Sequence, residues 1–174
     1  MTQSKCILFS GLPGSGKTTL ARQLAIRLQI PLFSKDTIDR ILRDDGLVEG
    51  SSLTGYHLLM DLAEQQLSFH ISTILDAVFP MQGFRERVAS IAQKHDAKLL
   101  VIHTYCSDDA VYRQRLTSRV VYHQGWTAKG WEEVERVRSF YQPWEQNAAI
   151  FLDAIVPVEE NLARILNIFY QGED

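Results

Sequence analysis

The run from Gly11 to Thr19 constrains the fold of this chain more than any other feature. It reads GLPGSGKTT and matches the spacing G-x-x-x-x-G-K-[ST]. Such a loop needs glycines, because its backbone wraps around a phosphate with the N–H groups pointing inward, and side chains would block that approach. The sequence therefore predicts a phosphate-binding loop whose contacts come from Gly11, Pro13, Gly14, Ser15, Gly16, Lys17, Thr18 and Thr19.

The segments on either side of this loop support the interpretation. Residues 5–10 form a short apolar run typical of a buried parallel strand, and Leu20, Leu24 and Leu28 share one face of a helix. Strand, loop and helix in this order place phosphates at a helix N-terminus, where free N–H groups favour anions. We expect ATP and Mg²⁺ as ligands, with Lys17 near the β- and γ-phosphates and the Thr18 hydroxyl on the metal.

The rest of the chain alternates between strand and helix patterns. Its 174 residues suit a single domain spanning 1–174. We predict an α/β fold with three layers, the P-loop NTPase fold, built on a five-stranded parallel sheet with a helical lid near 113–135. The predicted strands lie near 5–10, 31–34, 72–78, 98–105 and 148–152. The predicted helices lie near 16–29, 36–43, 53–69, 84–94, 108–121, 131–141 and 158–170.

Composition limits the classes of partner. The net charge of −3 gives no bulk electrostatic drive toward nucleic acid, although a local basic patch stays open. There is no apolar stretch long enough for a membrane span. Cys6 and Cys106 lie in or beside apolar runs and are expected to be reduced core residues, which favours a cytoplasmic protein.

Two carboxylates follow predicted strands. Asp76 ends the run STILD and could hold Mg²⁺, or it could cap the next turn. Asp36 follows the second strand and could accept the proton of an attacking hydroxyl, or it could be the N-cap of the next helix. Ligands of parallel α/β sheets bind beyond the carboxyl ends of the strands, so both acids are candidate site residues.

Basic and aromatic residues concentrate in the later part of the chain. Arg115 and Arg119 are four positions apart on a predicted helix and suit a developing phosphoryl charge in a lid, although a solvated basic face is the alternative. An aromatic cluster could form a substrate wall or pack locally, and comprises Trp126, Trp131, Tyr141 and Trp144. His103, on an apolar strand, is expected to be a core histidine.

Several segments in this order resemble one known group of proteins. They are GLPGSGKTTLARQLA, FSKDTIDRIL, TILDAVF with Arg85 and Arg87 after it, YRQRLTSR and VPVEENLARIL. The chain resembles the small P-loop kinases that include bacteriophage polynucleotide 5′-kinase, chloramphenicol phosphotransferase and zeta-toxin kinases. The resemblance implies that Lys17 and Thr18 bind ATP–Mg²⁺, that Asp36 is the general base, and that Arg115 and Arg119 are lid arginines at the phosphates.

One position departs from that group. Many members carry an arginine three residues after the base, where this chain has Asp39 followed by Arg40. Either Arg40 takes the place of that arginine through a shift in register, or the acceptor differs. The departure and the acidic net charge disfavour a polynucleotide acceptor. The predicted function is ATP-dependent transfer of the γ-phosphoryl group to a hydroxyl of a small-molecule or nucleotide-like acceptor. An ATP-binding sensor without transfer activity is the alternative, whereas a GTPase switch is disfavoured because D-x-x-G and N-K-x-D are both missing.

Overall fold

Five parallel strands form the centre of the computed structural model, which describes residues 3–117 and 130–171. The strands are β1 (Lys5–Ser10), β2 (Leu32–Ser34), β3 (Thr73–Asp76), β4 (Lys98–Tyr105) and β5 (Ile150–Asp153). In the described ranges the helices are α1 (Lys17–Leu28), α2 (Lys35–Asp44), α3 (Leu53–Ser68), α4 (Gln82–Lys94), α5 (Asp109–Thr117), α6 (Trp131–Arg138) and α7 (Val158–Tyr170). Within these ranges no helix has the length and apolar character needed to cross a membrane.

The strand order is β2-β3-β1-β4-β5, which places β1 at the centre. Phe9 is in register with Asp76, and Ser10 is in register with His103. Ser34, at the end of β2, is in register with Asp76 as well. The carboxyl ends of four strands therefore meet at one edge of the sheet, directly before the predicted phosphate loop.

Helices cover both faces of this sheet because β1 alternates apolar residues toward each side. Cys6 and Leu8 pack with α3 and α4, while Ile7 and Phe9 pack with α1 and α7. Burial raises the pKa of the Cys6 thiol to about 12, as expected of a core cysteine. The predicted three-layer P-loop fold is confirmed.

A smaller third cluster joins α5 and α6 to the phosphate loop. It consists of Tyr112, Leu116 and Val134, with Leu12 and Trp131 packed against it. Trp131 therefore belongs to local packing beside the loop. This cluster holds the two helices that flank residues 118–129 against the start of the predicted nucleotide site.

Element boundaries differ from the sequence-based predictions where pairing decides them. β1, β4 and α7 have the predicted limits, whereas β5 begins at Ile150 instead of Ala148. Ile150 is the first residue of β5 that pairs with β4, opposite Ile102. The predicted continuation of α5 to residue 121, and the part of the predicted lid in 118–129, lie outside the described residues.

Candidate active site

The segment between β1 and α1 forms a tight loop that depends on its glycines. Gly11, Gly14 and Gly16 all have positive φ, at 143°, 84° and 88°. A Cβ on Gly11 would overlap the backbone oxygen of Thr104 in β4. Ser15 is also fixed to β4, because its Oγ lies 2.7 Å from Oγ1 of Thr104. The loop conformation is thus held by the neighbouring strand before any ligand binds.

Helix α5 supports the same loop from the other side. The Tyr112 hydroxyl donates a hydrogen bond of 2.7 Å to the carbonyl of Pro13. A Cβ on Gly14 would lie 2.5 Å from Cδ2 of Leu116. The loop therefore has no room for a side chain at this position while α5 stays in place.

Lys17 lies at the first position of α1 and points back into the loop. Only 7% of its surface is exposed, and its Nζ donates to the carbonyl of Leu12 at 3.3 Å. This carbonyl oxygen accepts the hydrogen bond from Lys17 that a phosphate oxygen would accept in a loop with bound nucleotide. This geometry keeps a positive charge within the loop.

A cavity of about 410 Å³ opens beside the loop. One wall is the loop with the start of α1, and the opposite wall is the segment 154–158 that joins β5 to α7. Arg115 also lines the cavity, and its Nη1 donates to the carbonyl of Ala154 at 2.8 Å. The volume and the loop at one end suit a nucleotide with its phosphates toward Gly14–Thr18.

Thr18 and Asp76 form a pair that fits a magnesium ion. The Thr18 hydroxyl donates to Oδ2 of Asp76 at 2.8 Å. Oδ1 of Asp76 is buried and has no hydrogen-bond partner among the described residues. Buried carboxylate oxygens normally have partners, and Mg²⁺ prefers oxygen ligands of this kind. Thr18 and Asp76 are therefore the residues that could hold the metal.

Asp76 is only 3% exposed, and its electrostatics follow from that burial. Desolvation raises the pKa of its carboxyl, and Asp36 raises it further. Lys17 and the hydroxyls of Thr18 and Ser34 act in the opposite direction. A divalent cation bound by Asp76 would offset this desolvation.

Replacing Asp76 with asparagine should stabilise the ligand-free protein. The folded-state pKa is raised above the unfolded value, so ionised Asp76 opposes folding at neutral pH, and this cost disappears as the pH falls through the folded pKa. We expect Asp76→Asn to gain ~1–2 kcal/mol, or about 2–6 °C in melting temperature at pH 7. The gain should shrink on acidification. Thermal denaturation across pH measures it, with surface Asp61→Asn as control, and an unchanged or lower melting temperature at pH 7 would contradict it.

Asp36 lies in the first turn of α2, directly after β2. The N-cap is Ser34, so the alternative prediction that Asp36 caps this helix is wrong. Asp36 is close enough to Asp76 and Tyr56 to raise the pKa of both groups. Tyr56 is itself buried, and its hydroxyl accepts the backbone N–H of Phe79 at 3.1 Å.

Lys35 and Asp39 form a buried ion pair next to Asp36. Lys35 Nζ lies 2.5 Å from Asp39 Oδ2, at positions i and i+4 of α2. A Cβ on Gly55 of α3 would overlap Oδ1 of Asp39. The position where the resembling kinases carry an arginine is therefore filled by an acid that is packed tightly between α2 and α3.

Gly55→Ala should destabilise the protein even though alanine favours helices. The added methyl group would push against a carboxylate held by Lys35, so we expect a loss of ~1–3 kcal/mol. The matched control is Gly83→Ala in α4, where a Cβ meets nothing within 4 Å. That substitution should be neutral or gain up to ~1 kcal/mol. Urea denaturation compares the two variants, and equal effects would contradict the close packing.

A polar network that the sequence did not reveal lies at the ends of β1 and β4. The Tyr141 hydroxyl is 2.7 Å from Ser10 Oγ and 3.2 Å from His103 Nδ1. Trp144 Nε1 donates to Ser10 Oγ at 3.0 Å. His103 is half-buried at this edge, and burial, Arg85 and Lys17 lower its pKa to about 4. It is a neutral residue beside the site rather than an interior core histidine.

These partners are far apart in sequence, so no spacing could have indicated them. The residues after α6 carry Tyr141 and Trp144 back to the residue that precedes Gly11. The aromatic cluster predicted near the end of the chain is thus divided. Tyr141 and Trp144 join the site edge, Trp131 packs against Tyr112, and Trp126 lies outside the described residues.

The two predicted lid arginines have different outcomes. Arg115 lines the nucleotide cavity, where it contacts the segment between β5 and α7. Arg119 lies outside the described residues. The predicted phosphate-side role of this pair stays a prediction.

A central parallel strand followed by a glycine-rich phosphate loop and a helix defines a P-loop nucleotide-binding protein. The family model described as an AAA domain matches residues 6–143, and the chain belongs to this family. No curated protein sequence matches the chain.

Solved structures share this fold over nearly the whole chain. A candidate kinase from Chloroflexus aurantiacus is 24% identical, covers 99% of both chains and has a TM-score of 0.78. A sugar kinase from Janibacter is 17% identical with a TM-score of 0.70, covering 94% of this chain and 93% of its own. The APS kinase CysC of Mycobacterium tuberculosis, solved with AMPPNP and APS, is 17% identical with a TM-score of 0.69 and covers 97% and 99%. The neighbours therefore have a kinase-like P-loop fold.

Proposed function

We propose that this protein is an ATP-dependent kinase that phosphorylates a hydroxyl group of a small acceptor. The observation that supports this most is the grouping of Asp36, Asp76 and Thr18 at one edge of the sheet, next to Lys17 in the loop. A nucleotide-binding protein without transfer activity would need the loop and the metal pair, but not a second carboxylate beside them.

In this proposal the reaction is a direct displacement. The loop amides and Lys17 bind and orient the triphosphate, while Thr18 and Asp76 hold the metal. Bound Mg²⁺ would neutralise charge on the phosphate oxygens. The oxygen of the acceptor hydroxyl attacks the γ-phosphorus while Asp36 accepts the proton of that hydroxyl. The bond between the γ-phosphorus and the bridging oxygen breaks, and ADP leaves.

Arg115 and Arg119 complete the proposal as residues of a lid over 113–135. Arg115 already lies on the wall of the nucleotide cavity, which supports a role in closing over ATP. Guanidinium groups suit the charge that develops on the transferring phosphoryl group. Closure would also exclude water, so that the acceptor hydroxyl and not water is phosphorylated.

The structural neighbours support kinase chemistry but differ in their acceptors. They include a sugar kinase, a gluconokinase and an APS kinase. Identities below 25% carry the fold and not the substrate, so the acceptor has to come from this chain's own residues.

A coupled ADP-release screen tests the function. The acceptor panel covers nucleosides, nucleotides, sugars, antibiotics and polynucleotide ends, with the Lys17→Ala protein as the blank and mass spectrometry to identify product. We expect ADP release that depends on one acceptor class and yields a product heavier by one phosphoryl group. ATP binding without any phosphorylated product would favour the sensor instead.

A further inference from the structure

The buried ion pair on α2 contributes no net charge next to the proposed base. Lys35 and Asp39 are 3% and 2% exposed. Lys35 Nζ also donates to Ser51 Oγ at 2.9 Å, and Ser52 Oγ donates to Asp39 Oδ1 at 3.3 Å. Each charge thus has its opposite and a hydroxyl as partners, and the pair as a whole is neutral.

The pair lies next to the proposed base. Lys35 precedes the proposed base in sequence, and its Nζ lies 4.5 Å from the ring centroid of Tyr56. Asp36 and Asp39 both act electrostatically on Tyr56, so Tyr56 connects the base to the ion pair. Phe84 stacks on Tyr56 at 4.2 Å between ring centroids, which adds an apolar face to the same region.

Arg85, another cation on this face of the sheet, is already hydrogen-bonded to the backbone. Its guanidinium donates to the carbonyls of Phe79, Gln142 and Pro143, and it lies over the rings of Tyr141 and Trp144. An anionic group of an acceptor could bind Arg85 only by breaking contacts that hold two loops together.

We infer that the acceptor is an uncharged polyhydroxy compound, such as a sugar or a nucleoside, and that carboxylate, sulfate and phosphate acceptors are selected against. The inference rests on the proposed kinase function and deepens it. An anion near α2 would meet the Asp36 carboxylate and a lysine already neutralised by Asp39, whereas a hydroxyl compound loses nothing there. Aromatic rings also suit the apolar faces of sugars and bases.

Matched acceptor pairs test this inference. Each pair consists of a neutral compound and its anionic counterpart, such as an aldose and its aldonate or a nucleoside and its 5′-phosphate. For each compound, kcat/KM is measured by ADP release at saturating Mg²⁺-ATP. We expect the wild-type protein to favour the neutral member by at least ~10-fold. Asp39→Asn should shift this ratio toward the anion by ~10-fold, because no carboxylate then neutralises the charge of Lys35.

Two further variants separate charge from folding. Asp44→Asn is the matched control, because Asp44 forms the equivalent i,i+4 pair with Arg40 at 3.0 Å on the exposed side of α2. It should leave the ratio unchanged. Should Asp39→Asn fail to fold, the double variant Lys35→Met/Asp39→Leu removes both charges together and should keep the neutral preference. A changed ratio in that variant would contradict the role of the pair.

The outcomes distinguish this inference from the proposed function. Better turnover of the anionic members by the wild type overturns the inference and leaves the kinase function standing. When no compound is turned over, the kinase function fails, and thermal shifts of the protein saturated with Mg²⁺ and a non-hydrolysable ATP analogue decide the inference. Larger shifts with the neutral members support it, and larger shifts with the anions, or none at all, overturn it.

Discussion

Replacing Lys17 with alanine should lower phosphoryl transfer by at least ~10³-fold. The Lys17 side chain is almost fully buried in the loop and bonds to the Leu12 carbonyl, so its ammonium group is already positioned before the nucleotide binds. Such a prepositioned charge stabilises the transferring phosphoryl group without reorganisation. Initial rates of ADP release with the acceptor found in the screen measure the effect.

The control for this variant lies on the same helix. Arg22 is exposed on α1, and Arg22→Ala also removes one positive charge, but at a position outside the loop. It should keep activity within about 2-fold, since surface substitutions away from a site have small effects. If Lys17→Ala retained more than a tenth of the wild-type rate with an unchanged melting temperature, the loop lysine would not be part of the catalytic machinery.

Asp36→Ala should reduce kcat by ~10²–10⁴-fold while the affinity for ATP stays within about 3-fold. This split is expected because Asp36 lies in the first turn of α2 and does not line the cavity assigned to the nucleotide, which is lined by the loop and the segment 154–158. Steady-state kinetics gives kcat and KM, and calorimetry gives the nucleotide affinity of both proteins.

Asp36→Asn and Asp45→Asn refine this result. Asparagine keeps the shape of Asp36 without a basic carboxylate, so it should be nearly as impaired as alanine. Asp45, exposed just after α2, provides the control with the same chemical change. Near-full transfer by Asp36→Ala would show that the base assignment is wrong, and a raised ATP dissociation constant with unchanged kcat would make Asp36 a nucleotide contact.

The fold was predictable from the sequence because its strongest signals are local. The limits of β1 and β4 were predicted correctly, because both strands are mostly apolar runs that are visible in the local composition. The first residue of β5 was not predicted correctly. The strand begins where Ile150 pairs with Ile102, and local composition does not show this pairing. Helix α2 begins one residue earlier than predicted, at Lys35, which moves Asp36 from the cap into the first turn.

The site was predictable only in part. Glycine spacing predicted the loop, and the positions of Asp36 and Asp76 after strands made them candidates whose roles stay predictions. The i,i+4 spacing of Lys35 and Asp39 could have predicted their ion pair, but Asp39 was interpreted only as the position of a missing arginine. The network of Ser10, His103 and Tyr141 had no signal, because long-range contacts create it.

The support that α5 gives to the phosphate loop restricts how this protein can change over evolutionary time. Gly14 in the loop and Leu116 in α5 occupy neighbouring space, although 102 positions separate them in the chain. A larger residue at Gly14 would require the Leu116 side chain to move or to become smaller, and Tyr112 connects the two segments by a further hydrogen bond. We therefore expect substitutions in α5 and in the phosphate loop to depend on each other, so that grafting either segment alone into a relative would separate parts that pack together.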